Sequence, residues 1–204
     1  MWIQKRSCLG LIAALVMAPA WLVGGCAPAL APTVAGITLQ PGSYVTASYR
    51  APGWAAARTS YALSPFPVQA APGVDPETFQ TLLQEEISRA LQANGLKIDR
   101  HSDTALRGTV SRVEVRGASL RFITGSITAA LTVEGQVSRG SEVLFAFQDR
   151  ISLNSPVNPG TPAPKEKELL LTHVARTCAD HLLNELLLTG APPQAGKYPQ
   201  KPEQ

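Results

Sequence analysis

The spacing of apolar residues changes along the chain, and each spacing predicts an element. From Phe79 to Leu91 apolar side chains recur at steps of three and four (Phe79, Leu82, Leu83, Ile87, Ala90, Leu91), while Gln80, Gln84, Glu85, Ser88 and Gln92 take the other side. This is the period of an amphipathic helix. Asp75 suits its N-cap, and Pro76 suits the first helical position, where its missing N–H would have no partner. Asn94-Gly95 suits a left-handed ending, after which Leu96 to Ile98 resumes an extended chain.

The period then falls to two. Ala105 to Arg116 reads as a strand, but Val110, Val113 and Val115 do not share one parity, which predicts a bulge near Ser111. Ile127, Ala129, Leu131, Val133 and Val137 keep one parity, with Thr128, Thr132, Glu134 and Gln136 opposite. Arg139-Gly140-Ser141 supplies a short turn, and Val143, Phe145, Phe147, Ile151 and Leu153 return on the matching side. The pair predicts a hairpin with one buried face and one polar face that includes Gln136, Gln148 and Arg150.

Helical spacing returns from Lys165 to Leu188, where Leu171, Val174, Cys178, Leu182 and Leu186 form a stripe widened by Leu170 and Leu183, and Gly190 ends it. Two helices with wide apolar stripes can cover one face of one sheet. The expected fold is therefore α+β, a two-layer sandwich of an antiparallel sheet with two helices on one face, in the order β-α-β-β-β-α.

The N-terminal quarter follows a different pattern. Met1 to Ser7 carries Lys5 and Arg6 and no acid, and Leu9 to Val23 is apolar apart from Gly10 and Pro19. A basic head followed by a short apolar run is a secretory signal, and with Pro19 inside it the run is less suited to spanning a bilayer permanently, which takes ~20 apolar residues. Val23-Gly24-Gly25-Cys26 resembles the lipobox of bacterial lipoproteins, in which the cysteine becomes the acylated first residue of the mature chain. The resemblance implies three acyl chains on Cys26. Each buried methylene contributes ~0.8 kcal/mol, so the protein would stay on the membrane. Ala27, where aspartate favours inner-membrane retention in enterobacterial lipoproteins, leans toward the outer membrane.

Four regions result: a signal over 1–25; Cys26 and a Pro/Ala-rich tether over 26–59, with short strands at Ile37 to Leu39 and Tyr44 to Tyr49; the α+β domain over 60–190, opening with a strand at Ser60 to Leu63; and a polar Pro-rich tail over 191–204 expected to be disordered. Losing Lys5 and Arg6 lowers the formal charge from +3 to +1. Near-neutrality gives no electrostatic reason for a nucleic-acid partner. Of three cysteines, Cys8 leaves with the signal and Cys26 is acylated, so Cys178 has no partner for a disulfide.

Candidate chemistry is sparse. Cys178 and His181 are neighbours across one helical turn, but Cys178 lies on the apolar stripe and a tetrahedral metal needs further ligands, so no metal site is expected. His101, between Asp99 and Asp103, reads as a solvated turn residue, and His173 lies eight residues before His181 on the last helix. Glu85 and Glu86 read as exposed helix residues, and "TGSIT" lacks the second glycine of a nucleophile elbow. With no phosphate loop or dinucleotide fingerprint, neither a cofactor nor enzyme activity is expected. The loop Gly117 to Ser126 holds the candidate binding group: Arg116, Leu120, Arg121 and Phe122, able to grip an anionic headgroup or a partner's edge.

The lipobox, the Pro-rich tether, "DPETFQTLLQEEISRALQANGLKI", "LRGTVSRVEVRG", the hairpin and the Leu-rich last helix together resemble the YajG-like lipoproteins and the auxiliary lipoproteins of ABC-type lipid-transport systems. The second resemblance implies a periplasm-facing, non-catalytic adaptor of an envelope complex. The alternative is a periplasmic carrier or sensor of a small lipid-like ligand held between sheet and helices.

Overall fold

The computed structural model describes residues 31–117, 125–156 and 160–188. Along the chain come β1 (Thr33–Val34), β2 (Ile37–Thr38), β3 (Gln40–Pro41), β4 (Ala47–Arg50), a 3-10 turn (Ala56–Arg58), β5 (Ser60–Leu63), β6 (Val68–Ala70), α1 (Pro76–Ala93), β7 (Lys97–Ile98), β8 (Thr104–Arg116), β9 (Ser126–Arg139), β10 (Glu142–Pro156) and α2 (Ala163–Leu187). The class is α+β, with two helices packed on one sheet.

Helix α1 has the ends its sequence predicts. Asp75 Oδ2 accepts from the Thr78 N–H at 2.8 Å, and Pro76 opens the helix. At the other end Gly95 takes a φ of 78°, while Gly95 N–H donates to Gln92 O and Leu96 N–H to Leu91 O, both at 3.0 Å. These are the paired bonds of a Schellman ending.

The large sheet runs in the order β3-β4-β10-β9-β8-β5-β7, with β6 also paired to β8. It is mixed, where an antiparallel sheet was expected. β5 pairs in parallel with β7 and β8, and β6 in parallel with β8. The reason is α1: a helix between neighbouring strands carries the chain back to the end it left, so the next strand runs the same way. The rest of the sheet is antiparallel.

The bulge expected near Ser111 is present, as the β8–β9 register shifts between Val110 and Arg112. A second bulge lies between Val143 and Phe145. It corrects the expected parity: Leu144 and Phe145 join the core under the helices, whereas Val143 packs on the opposite face with Ala146. In the β9–β10 turn positive φ is confined to the first loop residue, Gly140 at 57°, as a type II′ turn requires.

Under the helices Tyr61, Phe66, Phe79, Phe145, Phe147, Leu106 and Leu131 are almost wholly buried. Two glycines paired across β8 and β9, Gly108 and Gly135, let the aromatic rings approach the sheet. A Cβ on Gly135 would lie 2.6 Å from Phe147 Cε1, and one on Gly108 would collide with Phe66 and lie 2.5 Å from Glu134 O.

The segment assigned to a tether is folded from Ala31 onward. The short strands expected at 37–39 and 44–49 are β2 and β4, and β4 extends the main sheet by pairing with β10. Val34 and Leu39 pack with Ala47 and Ala146 on the face away from the helices. Small residues suit this thin second layer, so composition alone resembles a linker.

Candidate functional site

β1 and β2 pack on the sheet face away from the helices, and beside them the outward residues of β8, β9 and β10 form its bare part. On β8, Glu114 Oε2 accepts from Arg112 Nη2 at 2.9 Å and Glu114 Oε1 pairs with Arg116 Nη2 at 2.8 Å. Both arginine side chains are more than half exposed, at 56% and 65%. Arg116 is thus the end of an ordered Arg–Glu–Arg row. Burial would raise the Glu114 carboxyl, but hydrogen bonds from Arg112 and Arg116 outweigh it and hold the group below the ordinary range. Further along the face, with the Gln136 amide turned to present its oxygen, Arg107 Nη2 and Nε lie 2.6 and 2.8 Å from it. Glu134, Gln148 and exposed Arg150 continue the polar surface. The other members of the predicted binding group, Leu120, Arg121 and Phe122, lie outside the described residues, as does Cys26.

A second polar cluster lies where α2 meets β4 and β10. Asp149, 3% exposed, occupies an inward position between Phe147 and Ile151. Its Oδ1 accepts from Thr46 N–H, Thr46 Oγ1 and Arg150 N–H at 3.1, 3.2 and 2.9 Å, and its Oδ2 lies 2.8 Å from His181 Nδ1. Glu185, 4% exposed, accepts from Ser43 N–H, Tyr44 N–H and Ser48 Oγ at 3.0, 2.8 and 2.7 Å. Arg50 donates to the carbonyls of Glu185 and Leu186 and lies over the Trp54 ring, 5.4 Å from its centroid. Buried carboxylates are tolerated when hydrogen-bonded, and here most donors are backbone N–H groups. The arrangement fastens the β3–β4 hairpin to α2. Sequence periodicity missed both acids, although each interrupts an apolar pattern at an inward position.

His181 is therefore an Asp149 partner. Cys178 sits in the core, where burial first and then the charge of Asp149 push its thiol well above the ordinary range. No group of three or more metal-binding side chains occurs among the described residues. His101 is exposed, as expected, and so is His173.

Glu86 corrects another expectation. It is 5% exposed in the seam between the helices, with Oε1 2.6 Å from Arg89 and Oε2 3.5 Å from Arg176. Burial raises its carboxyl, and the two arginines outweigh that and hold it below the ordinary range. Its neighbour Glu85 is exposed, as expected.

An apolar cleft of about 440 Å³ opens between the N-terminal halves of the helices, lined by Val74, Phe79, Leu82, Ala163, Pro164 and Leu171, with Lys167 and Glu168 also on its wall. A polar groove of about 650 Å³ runs along the outer side of α1 beside β5 and β7, lined by Gln84, Glu85, Arg89 and Arg100 among others.

No protein-family model matches the chain, and no curated protein matches it. Among solved structures it is similar to the rare lipoprotein B from Shewanella oneidensis, at 21% identity and a TM-score of 0.42, over 61% of this chain and 91% of that one. It is also similar to a minor lipoprotein from Acinetobacter baumannii, at 14% identity and a TM-score of 0.41, over 63% of this chain and 90% of that one. Both neighbours are bacterial lipoproteins. The likeness is loose, does not establish the YajG-like or transport-auxiliary assignment, and transfers no function.

Proposed function

We propose that this protein is a lipid-anchored lipoprotein of the bacterial envelope that acts as a non-catalytic adaptor, docking a partner protein on the bare face of its sheet. The observation that carries the reading is the ordered, half-exposed Arg112–Glu114–Arg116 row on the sheet face opposite the helices. Pre-paired side chains lose less rotamer freedom on docking than mobile ones, which favours a recognition surface. The acylation motif at Cys26 supplies the anchor, Ala27 favours the outer membrane, and an ABC-type lipid-transport complex fits the family resemblance. Crosslinking in intact cells, followed by mass spectrometry of what the wild type and Cys26→Ala forms recover, tests it. Transporter or other envelope-complex subunits recovered with the lipidated form alone support the adaptor; identical recovery by both removes the need for the anchor.

A second reading, a carrier or sensor of a lipid-like ligand, draws support from the 440 Å³ apolar cleft, a volume within the usual range for small-molecule sites. Large side chains fill the space between sheet and helices where that ligand was expected, so the helix cleft would be its place. Leu82→Trp should then displace a lipid that mass spectrometry finds on the gently purified wild type. A wild type carrying no lipid counts against this reading.

A further inference from the structure

The surface built by residues 31–49 has an unusual charge balance. It contains no acidic or basic side chain, and all 15 acids of the chain lie at or beyond Asp75. Its exposed groups are small, hydroxyl or amide residues such as Thr33, Thr38, Gln40 and Ser43, together with Tyr44, 48% exposed. Tyr44 and Leu169 are the large hydrophobic side chains left exposed among the described residues. The carboxylates beneath this edge, Asp149 and Glu185, are buried and held by the hydrogen bonds given above. Arg150, whose N–H donates to Thr46 Oγ1 at 3.0 Å, is exposed and cationic.

The chain leading to this edge is short. Ala31, the first of the described residues, lies five positions after Cys26, and an extended chain covers at most about 18 Å over that length. A compact body of this size is roughly 40 Å across. A tether shorter than the body cannot let its far side turn to the anchoring membrane.

We infer that the β1–β2 and β3–β4 hairpins, with Tyr44 at their exposed tip, form the face that rests on the lipid leaflet holding the acyl chains. This rests on the acylation of Cys26 proposed above. An uncharged surface meets headgroups without the cost of desolvating ions, and tyrosine places an apolar ring and a polar hydroxyl at such a boundary. With no exposed carboxylate from these hairpins and Arg150 beside them, the face is compatible with anionic headgroups. The Arg112–Glu114–Arg116 row on β8 and the acid-bearing side of α1 then remain available to the periplasm.

The test uses acylated protein reconstituted in phosphatidylethanolamine/phosphatidylglycerol vesicles. Cys8 leaves with the signal, Cys26 is acylated and Cys178 is buried, so an engineered cysteine takes a fluorophore alone. Labels at Tyr44→Cys and Glu85→Cys are compared using a quencher attached to lipid. The expected result is quenching at least threefold stronger at position 44, with the difference lost when 20 Gly/Ser residues are inserted after Ala27. Protein that floats with the vesicles but shows equal quenching at the two positions overturns the orientation and leaves the anchor standing. A difference that survives the insertion overturns the tether as its cause. Protein that fails to float overturns the anchor and the orientation together.

Discussion

The two edges of the sheet handle carboxylates in opposite ways. At the β3–β4 edge, Asp149 and Glu185 are drawn inside and bonded largely to backbone N–H groups, and the hairpins around them carry no acid. At the β5–β7 edge, α1 displays Glu77 and Glu85 to solvent, and a polar groove runs beside it. Acids are structural struts on the first side and solvated surface on the second. Composition cannot distinguish these uses, because it counts the same residue types in both.

The largest effect should follow from removing a strut. Glu185→Ala leaves Ser43 N–H, Tyr44 N–H and Ser48 Oγ without their acceptor, and breaking such a buried charged network costs about 3 kcal/mol. A urea midpoint within error of wild type would show that the β3–β4 hairpin does not depend on Glu185. Gly135→Ala comes next, at about 2 kcal/mol, since the added methyl must displace Phe147 or the sheet. Circular dichroism melts would register that loss as a fall of several degrees.

Glu86 belongs to neither extreme: it is buried, yet its arginine partners are more than half exposed. Its folded carboxyl lies below the unfolded value, so its stabilisation is present above that unfolded value and disappears as pH falls through the folded one. Glu86→Gln should therefore cost about 1 kcal/mol at pH 7 and nothing near pH 2. A cost independent of pH would point to packing as its source. The smallest effect is expected at the other edge, where Glu85→Gln should change stability by less than ~0.5 kcal/mol in the same denaturation assay.

Much of the framework was legible in the sequence because it depends on local rules. Asp75, Pro76 and Asn94-Gly95 bounded α1, and three valines out of parity located the bulge at Ser111. What escaped depends on residues distant along the chain. Glu185 is bonded to Ser43 across 142 positions, and no spacing rule connects them. The parallel edge was implied by a helix between neighbouring strands, but short strands such as β6 and β7 carry too few residues to show their pairing. Of the candidate binding group only Arg116 falls among the described residues, and its partner Glu114 sits two positions away on the same strand face.

The adaptor reading is tested most directly by comparing two photocrosslinking positions in living cells, Thr132 on the bare sheet face and Gln84 on α1. The account predicts one discrete crosslinked partner band from Thr132 that disappears in the Cys26→Ala background, and none from Gln84. No band from Thr132, with the protein folded and anchored, would contradict docking through the bare sheet face.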